Sequence, residues 1–220
     1  MNCFGSLSKM QLDERSKYLL TKIYALQFAG KEQSPTDFLT EMLLTDSQHL
    51  KEELSALEKK GLIRNAKSTP QLSESGRSSI VVVMTGGAFD IIHPGHIETL
   101  QKAKALGDAL VVSVARDSTY ERNKKRKPQH SEILRRELVS ALRMVDAAVL
   151  GSETDIFATV LLLKPDIIAL GYDQSHSDAK ISVEIQRHGL SAKVVRLESS
   201  NPSIKTTSIV NKDPESLSGF

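Results

Sequence analysis

The chain has one cysteine, Cys3, and no tryptophan among its 220 residues. A lone cysteine forms no internal disulfide, and no Cys/His cluster has the spacing of a zinc site. A reducing compartment fits. Aromatic residues make up only 5%, which argues against a stacking platform for single-stranded nucleic acid. No apolar run approaches the ~20 residues of a membrane span. The opening stretch MNCFGSLSKM has no apolar core of the kind a secretory signal carries. The expected setting is therefore cytoplasmic, with no membrane partner. Neither sign of charge dominates: the net charge is +2, so composition alone does not call for nucleic acid. Internal repeats are missing too. What is present is ordinary for a globular protein, 40% apolar and 25% charged. The length suits one medium domain plus a small one.

Two textures meet near residue 78, and we expect domains at 1–78 and 79–220. In the first, Leu19, Leu20, Ile23 and Leu26 recur at helical spacing. Ser34-Pro35 reads as a helix start, with Pro35 at the first helical position. Thr45-Asp46-Ser47 opens another helix whose Leu50, Leu54 and Leu57 share a face. Lys59 and Lys60 suit its C-terminus, and Gly61 stops it. LIRNAKSTPQLSESGR then reads as a short strand, a polar turn and a second strand or helix start. This succession resembles a winged helix-turn-helix domain, which implies a small α+β unit with DNA or protein contact as its expected role. Its charge is nearly balanced, eleven Lys and Arg against ten Asp and Glu over residues 1–79.

In the second texture strands and helices alternate. Apolar runs at 79–85, 109–115, 147–151, 166–171 and 192–197 read as five strands. Helical stretches fall at about 95–106, 130–143, 155–164 and 182–190, with a last short helix near Thr207. Continuous apolar strands separated by helices argue for a parallel sheet covered on both faces. In such a sheet ligands gather at the carboxyl ends of the strands.

The stretch TGGAFDIIHPGH, Thr85 to His96, lies at the end of the first of these strands. Gly86 and Gly87 have no Cβ to keep the backbone from a phosphate. Pro94 suits the start of a helix, which puts His93 and His96 on its first turn, where free N–H groups and the dipole favour anions. Taken alone the pair also fits surface or capping histidines. A metal site needs a third ligand and another spacing. The dinucleotide fingerprint GxGxxG is absent.

GGAFDIIHPGH resembles the signature of the nucleotidylyltransferase superfamily, G-T-F-D-x-x-H-x-G-H. VARDSTYERNKKRKP, SEILRRELVSAL, KPDIIALGYDQ and KTTSI then follow in an order similar to one branch, the archaeal FAD synthetases of FMN adenylyltransferase type. The resemblance spans about residues 80–212. It implies a Rossmann-like, doubly wound five-stranded parallel α/β sheet of the HIGH-superfamily nucleotidyltransferase type, preceded by the winged-helix unit. The implied reaction joins FMN and ATP to give FAD and pyrophosphate by direct in-line attack on the α-phosphate. Mg²⁺ or another divalent cation accompanies ATP, and a homodimer is possible.

The resemblance also implies roles for residues. His93 and His96 bind and stabilise the triphosphate. Thr85, Gly86, Gly87, Ala88, Phe89 and Asp90 complete the signature, with Phe89 packing or in contact and Asp90 orienting the loop or a substrate. Arg116 and Asp117 end the second strand at the ligand edge. Lys127 belongs to a charged loop, ERNKKRKP, that closes over phosphates. Arg135 grips phosphate, with Arg136 as its alternative by one residue of register. Gly171, Tyr172, Asp173 and Gln174 contribute to the nucleotide site. Thr206, Thr207 and Ser208, after Lys205, form a phosphate cradle. Lys104 either reaches a phosphate or is solvated. One departure concerns the signature's threonine, for which Gly87 stands after the first glycine. Two other functions are weighed against the leading one: a cytidylyltransferase using CTP and a small phosphorylated alcohol such as glycerol 3-phosphate, and a DNA-binding regulator that senses a nucleotide or flavin.

Overall fold

Asp13 opens the first helix, its carboxylate accepting the Ser16 N–H, and so satisfies a donor that the helix cannot pair itself. In this computed structural model residues 12–28, 46–153, 155–172 and 177–199 are described. The chain divides into two compact units, Met1–Val81 and Val82–Phe220.

In the first unit, helix α1 (Glu14–Leu26) buries Leu19, Leu20, Ile23 and Tyr24. Helix α2 (Ser47–Lys59) is capped by Asp46 and buries Leu50, Leu54 and Leu57. Gly61, at φ +70, takes the left-handed turn that ends α2. Strands β1 (Ile63–Arg64) and β2 (Gln71–Leu72) pair antiparallel. QLSESGR is both strand and helix: after β2, Ser73 caps a short helix, α3 (Glu74–Ser78). The Ser34-Pro35 helix start lies outside the described residues.

The second unit is a five-stranded sheet with every pair parallel. Its elements are β3 (Val82–Gly87), α4 (Pro94–Lys104), β4 (Ala109–Val114), α5 (Asp117–Lys124), α6 (Glu132–Ser140), β5 (Ala147–Leu150), α7 (Ile156–Leu163), β6 (Ile167–Leu170), α8 (Asp178–Arg187) and β7 (Lys193–Arg196). The strand order is β5-β4-β3-β6-β7. The chain therefore winds outward from β3 to one side, then crosses to its other side at β6. This reversal opens the crevice of doubly wound sheets at the carboxyl end of the central strand. Leu100 and Ala103 of α4 and Val139 of α6 pack with Val83, Leu110, Val112 and Val114 of the sheet in one buried cluster. The last short helix expected near Thr207 is outside the described residues.

Boundaries shift for local reasons. β3 starts at Val82 rather than Ser79, because Ser79 closes α3 with its N–H on the Gly76 carbonyl. It also runs through both glycines, which pair with Ser113 and Val114 of β4. Part of ERNKKRKP is helical, with α5 ending at Lys125 in the left-handed conformation, φ +57. Helix α8 starts earlier than its apolar pattern because Ser177 caps it at Lys180.

The amino ends of the strands are tied together by acidic residues. Asp146 accepts the Leu110 N–H at 2.8 Å and the Lys104 ammonium at 2.6 Å, and Asp166 accepts the Val82 N–H at 2.7 Å. Lys104 thus belongs to the edge opposite the crevice. The phosphate contact weighed for it is corrected, since α4 carries its last turn to that edge.

Candidate active site

Pro94 occupies the first turn of α4 and His93 its cap position. Three residues bring His96 round onto the same face. The two imidazoles stack at 3.9 Å between centroids with 26° between planes. His93 is 9% exposed, and the His96 N–H donates to the His93 carbonyl at 2.9 Å. The structure thus brings the two histidines together at the N-terminus of a helix, beside the carboxyl end of the central strand. An anion placed there meets the positive end of the helix dipole.

The strand residues before them serve different ends. Thr85 is buried, and its hydroxyl donates to the Ala169 carbonyl at 2.8 Å; it joins β3 to β6. Gly86 lies close to Ser113, where a Cβ would sit 3.4 Å from the Ser113 carbonyl oxygen. At Gly87 a Cβ would come within 2.8 Å of the Phe89 ring. Registered on Phe89 and Asp90, the signature's glycine falls on Gly87 and its threonine on Ala88. The departure read at Gly87 is therefore corrected: the missing hydroxyl belongs to position 88, and position 87 has no room for one. The Ala88 carbonyl accepts from the Arg135 guanidinium at 2.5 Å.

Asp90 is 2% exposed and is surrounded by donors. Its carboxylate accepts from the Tyr120 hydroxyl at 2.8 Å, the Gln129 N–H at 2.6 Å, the His130 N–H at 3.3 Å and the Arg126 guanidinium at 3.2 Å. Burial alone pushes its carboxyl up. The hydrogen bonds from Tyr120, Gln129, His130 and Arg126 outweigh that, and the group sits below the ordinary carboxylate range. The partner shifts the other way: burial, then the bond to Asp90 and its charge, raise the Tyr120 phenol. Asp90 thereby fastens the signature loop to the segment after α5. Two guanidiniums lie over the Tyr120 ring, Arg126 at 5.2 Å and Arg135 at 5.8 Å from its centroid.

A second network joins α5 to α6. Arg135 has a fully buried side chain. Its guanidinium donates to the Asp117 carboxylate at 2.7 Å, the His130 carbonyl at 3.0 Å and Ala88. The grip on phosphate expected of it is met in this structure by protein oxygens instead. Arg136 is half-buried. Arg116 donates to the Gly151 carbonyl at 2.8 Å and to Glu132 at 2.6 Å, and Glu132 also accepts the Asp117 N–H at 2.8 Å. Burial works to raise the Glu132 carboxyl, but the Asp117 N–H and the Arg116 guanidinium bring it below its usual value. Lys127 is exposed, and its carbonyl accepts from Arg126 at 3.0 Å.

At the far side of the crevice Gly171 is buried, and its carbonyl accepts from Arg196 at 3.0 Å; Tyr172 is half-buried. Asp173, Gln174, Thr206, Thr207 and Ser208 lie outside the described residues. The motifs did not announce Tyr120, Arg126, Glu132 or Arg196. Tyr120 left one trace, a single aromatic in the polar run DSTYERNK, and Arg126 another, its place in the charged run ERNKKRKP; Glu132 and Arg196 left none. Among the described residues no group of three or more His, Cys, Asp and Glu side chains is placed to hold a metal ion, so these residues do not form a metal cage.

Residues 84–212 match the model of the family described as cytidylyltransferase-like. The chain is 51% identical over 119 residues to a FAD synthase of Aciduliprofundum boonei, covering 54% of this chain and 79% of that one. It is 44% identical over 140 residues to a FAD synthase of Thermoplasma volcanium, covering 64% of this chain and 98% of the relative. Among solved structures, the lipopolysaccharide core biosynthesis protein of T. volcanium matches with a TM-score of 0.53 at 48% identity, over 55% of this chain and 98% of that one.

Proposed function

The chain belongs to the cytidylyltransferase-like family, and from that membership we propose that it is an FMN adenylyltransferase, joining ATP and FMN to give FAD and pyrophosphate. The observation that carries this reading is the match to nearly the full length of a FAD synthase. The relatives favour it over both a CTP-dependent enzyme and a nucleotide-sensing regulator.

The reaction is a single displacement. A phosphate oxygen of FMN attacks the α-phosphorus of ATP, a new P–O bond forms, and the bond to the β-phosphate bridging oxygen breaks. No covalent enzyme intermediate is required, so the chain's work is positioning and charge stabilisation. His93, His96 and the α4 N-terminus hold the triphosphate and stabilise the charge that passes to pyrophosphate. Gly86 lets the backbone approach it, and Gly87 leaves room for the Phe89 ring. Lys127 supplies a further cation from the segment that Asp90 anchors. Arg116, Asp117 and Arg135 keep the ends of β3 and β4 and the start of α5 in place around the ligand. Phe89 and Ala88 shape the floor of the loop. Gly171, Tyr172, Asp173 and Gln174 are assigned to base and ribose, and Thr206, Thr207 and Ser208 to phosphate. A divalent cation such as Mg²⁺ supplies charge neutralisation when bound to the triphosphate, held chiefly by phosphate oxygens and water.

The test is a paired-substrate assay on the purified full chain, following pyrophosphate release. ATP with FMN is expected to turn over and yield FAD. Turnover with CTP and glycerol 3-phosphate but not with ATP and FMN overturns the assignment. We also propose a homodimer, supported by Ile133, Leu134 and Leu138, which stand 43%, 49% and 46% exposed on α6; sedimentation at two concentrations tests it. DNA contact through residues 1–78 is tested by a salt-dependent gel shift.

A further inference from the structure

Phe89 is the residue whose backbone the signature does not explain. Its φ is +52, in the left-handed region that a bulky aromatic residue rarely occupies. Such strain persists where the surroundings require it. Here the left-handed turn folds the ring back over the residue two before it. A Cβ on Gly87 would stand 2.8 Å from Phe89 Cε2 and 2.9 Å from Cζ, closer than real carbon contacts come. The ring also lies 5.1 Å from the His96 ring at 51° between planes, and His96 in turn stacks on His93 at 3.9 Å. Phe89 itself is 4% exposed. It forms a wedge between the end of β3 and the first turn of α4.

We propose that Phe89 is a positioning residue that sets the orientation of the His96 imidazole, and that Gly87 is required to be side-chain-free so that this ring can lie where it does. The inference rests on the adenylyltransferase reading for its kinetic consequence but not for its geometry. A histidine that stabilises charge on a departing pyrophosphate must be held to within a fraction of an ångström. An imidazole in contact with both a tilted aromatic ring and a stacked second imidazole is restricted in its ring torsion. Remove the wedge and that restriction goes, while His96 itself is untouched. Phe89 also belongs to the core cluster around Leu100 and Val114, so loss of stability alone would not distinguish the two roles.

A double-mutant cycle with two readouts does. Phe89→Leu, Gly87→Ala and the double variant are compared with the parent for kcat and KM in FAD formation. The imidazole signals of His93 and His96 are followed by NMR in the ligand-free full chain. Each single variant is expected to lower kcat about tenfold or more with KM for FMN changed less than about threefold, and to move the His96 signals. The smaller leucine relieves the clash at position 87, so the double variant should match Phe89→Leu rather than multiply the two losses. Multiplied losses would mean that Gly87 acts on the ligand by itself, and the proposal fails. Unmoved His96 signals with a lowered melting temperature would make Phe89 a core residue only, and the proposal fails. If no variant and no parent makes FAD, the NMR arm still decides the geometry, and it is the adenylyltransferase reading that falls.

Discussion

His93 and His96 meet on one turn because Pro94 starts α4 directly between them, and their rings stack at 3.9 Å. Under the proposed mechanism, replacing His96 by alanine removes one donor to the developing charge. The expected loss in kcat is on the order of 100-fold or more, with the circular dichroism spectrum unchanged; a near-normal rate would remove the proposed role. Asp90 carries a second expectation. Its carboxyl is held below the ordinary value, so its contribution to stability is present above the unfolded value of about 3.9. That contribution is lost as pH falls through the folded value. Asp90→Asn should cost about 2–3 kcal/mol at neutral pH and flatten the acid limb of the stability curve; equal acid limbs in parent and variant would contradict this. The sequence made His93, His96 and Asp90 visible because they sit within eight residues of one another. Tyr120, Glu132 and Arg196 reach partners 15 to 30 residues away across whole helices and strands, and no local pattern records which carboxylate or carbonyl a distant side chain will reach. Arg135 shows the limit from the other side. Its position in the motif was legible, but its partners were not, and those partners are protein oxygens.

Among elements, the strands were legible as apolar runs, since strands buried on both faces read that way. Their ends were not. Whether Ser79 continues a strand or closes a helix depends on the Gly76 carbonyl, and whether Gly86 and Gly87 are loop or strand depends on what β4 offers them. Strand order was not legible either, because the crossing from β5 to β6 leaves no mark in either segment. The join between α5 and α6 gives a prediction at this scale. Glu132 accepts both the Arg116 guanidinium and the Asp117 N–H, so it caps α5 from the start of another helix. Glu132→Gln keeps the shape and removes the charge. Its urea midpoint should fall by the equivalent of about 1–2 kcal/mol, and FMN adenylylation should slow as the Arg116–Asp117 corner loosens. A midpoint equal to the parent's would show that the corner is held by Arg135 alone.

The whole molecule consists of two units, each with its own buried core. The crevice at β3 and β6 is built from residues of the second. Residues 80–212 alone are therefore expected to fold and to make FAD from ATP and FMN. A fragment that folds but makes none would place part of the catalytic unit before residue 80. Within that second unit the two rims of the sheet have separate duties. The carboxyl rim carries the histidines. The amino rim carries Asp146 with Lys104 and Asp166 with Val82. A six-residue strand such as β4 puts roughly 20 Å between the rims, well beyond the distance at which substitutions couple. Heat tolerance can thus drift with habitat through the amino rim, by strengthening or losing an acid–lysine tie, while the turnover chemistry on the opposite rim stays as it is.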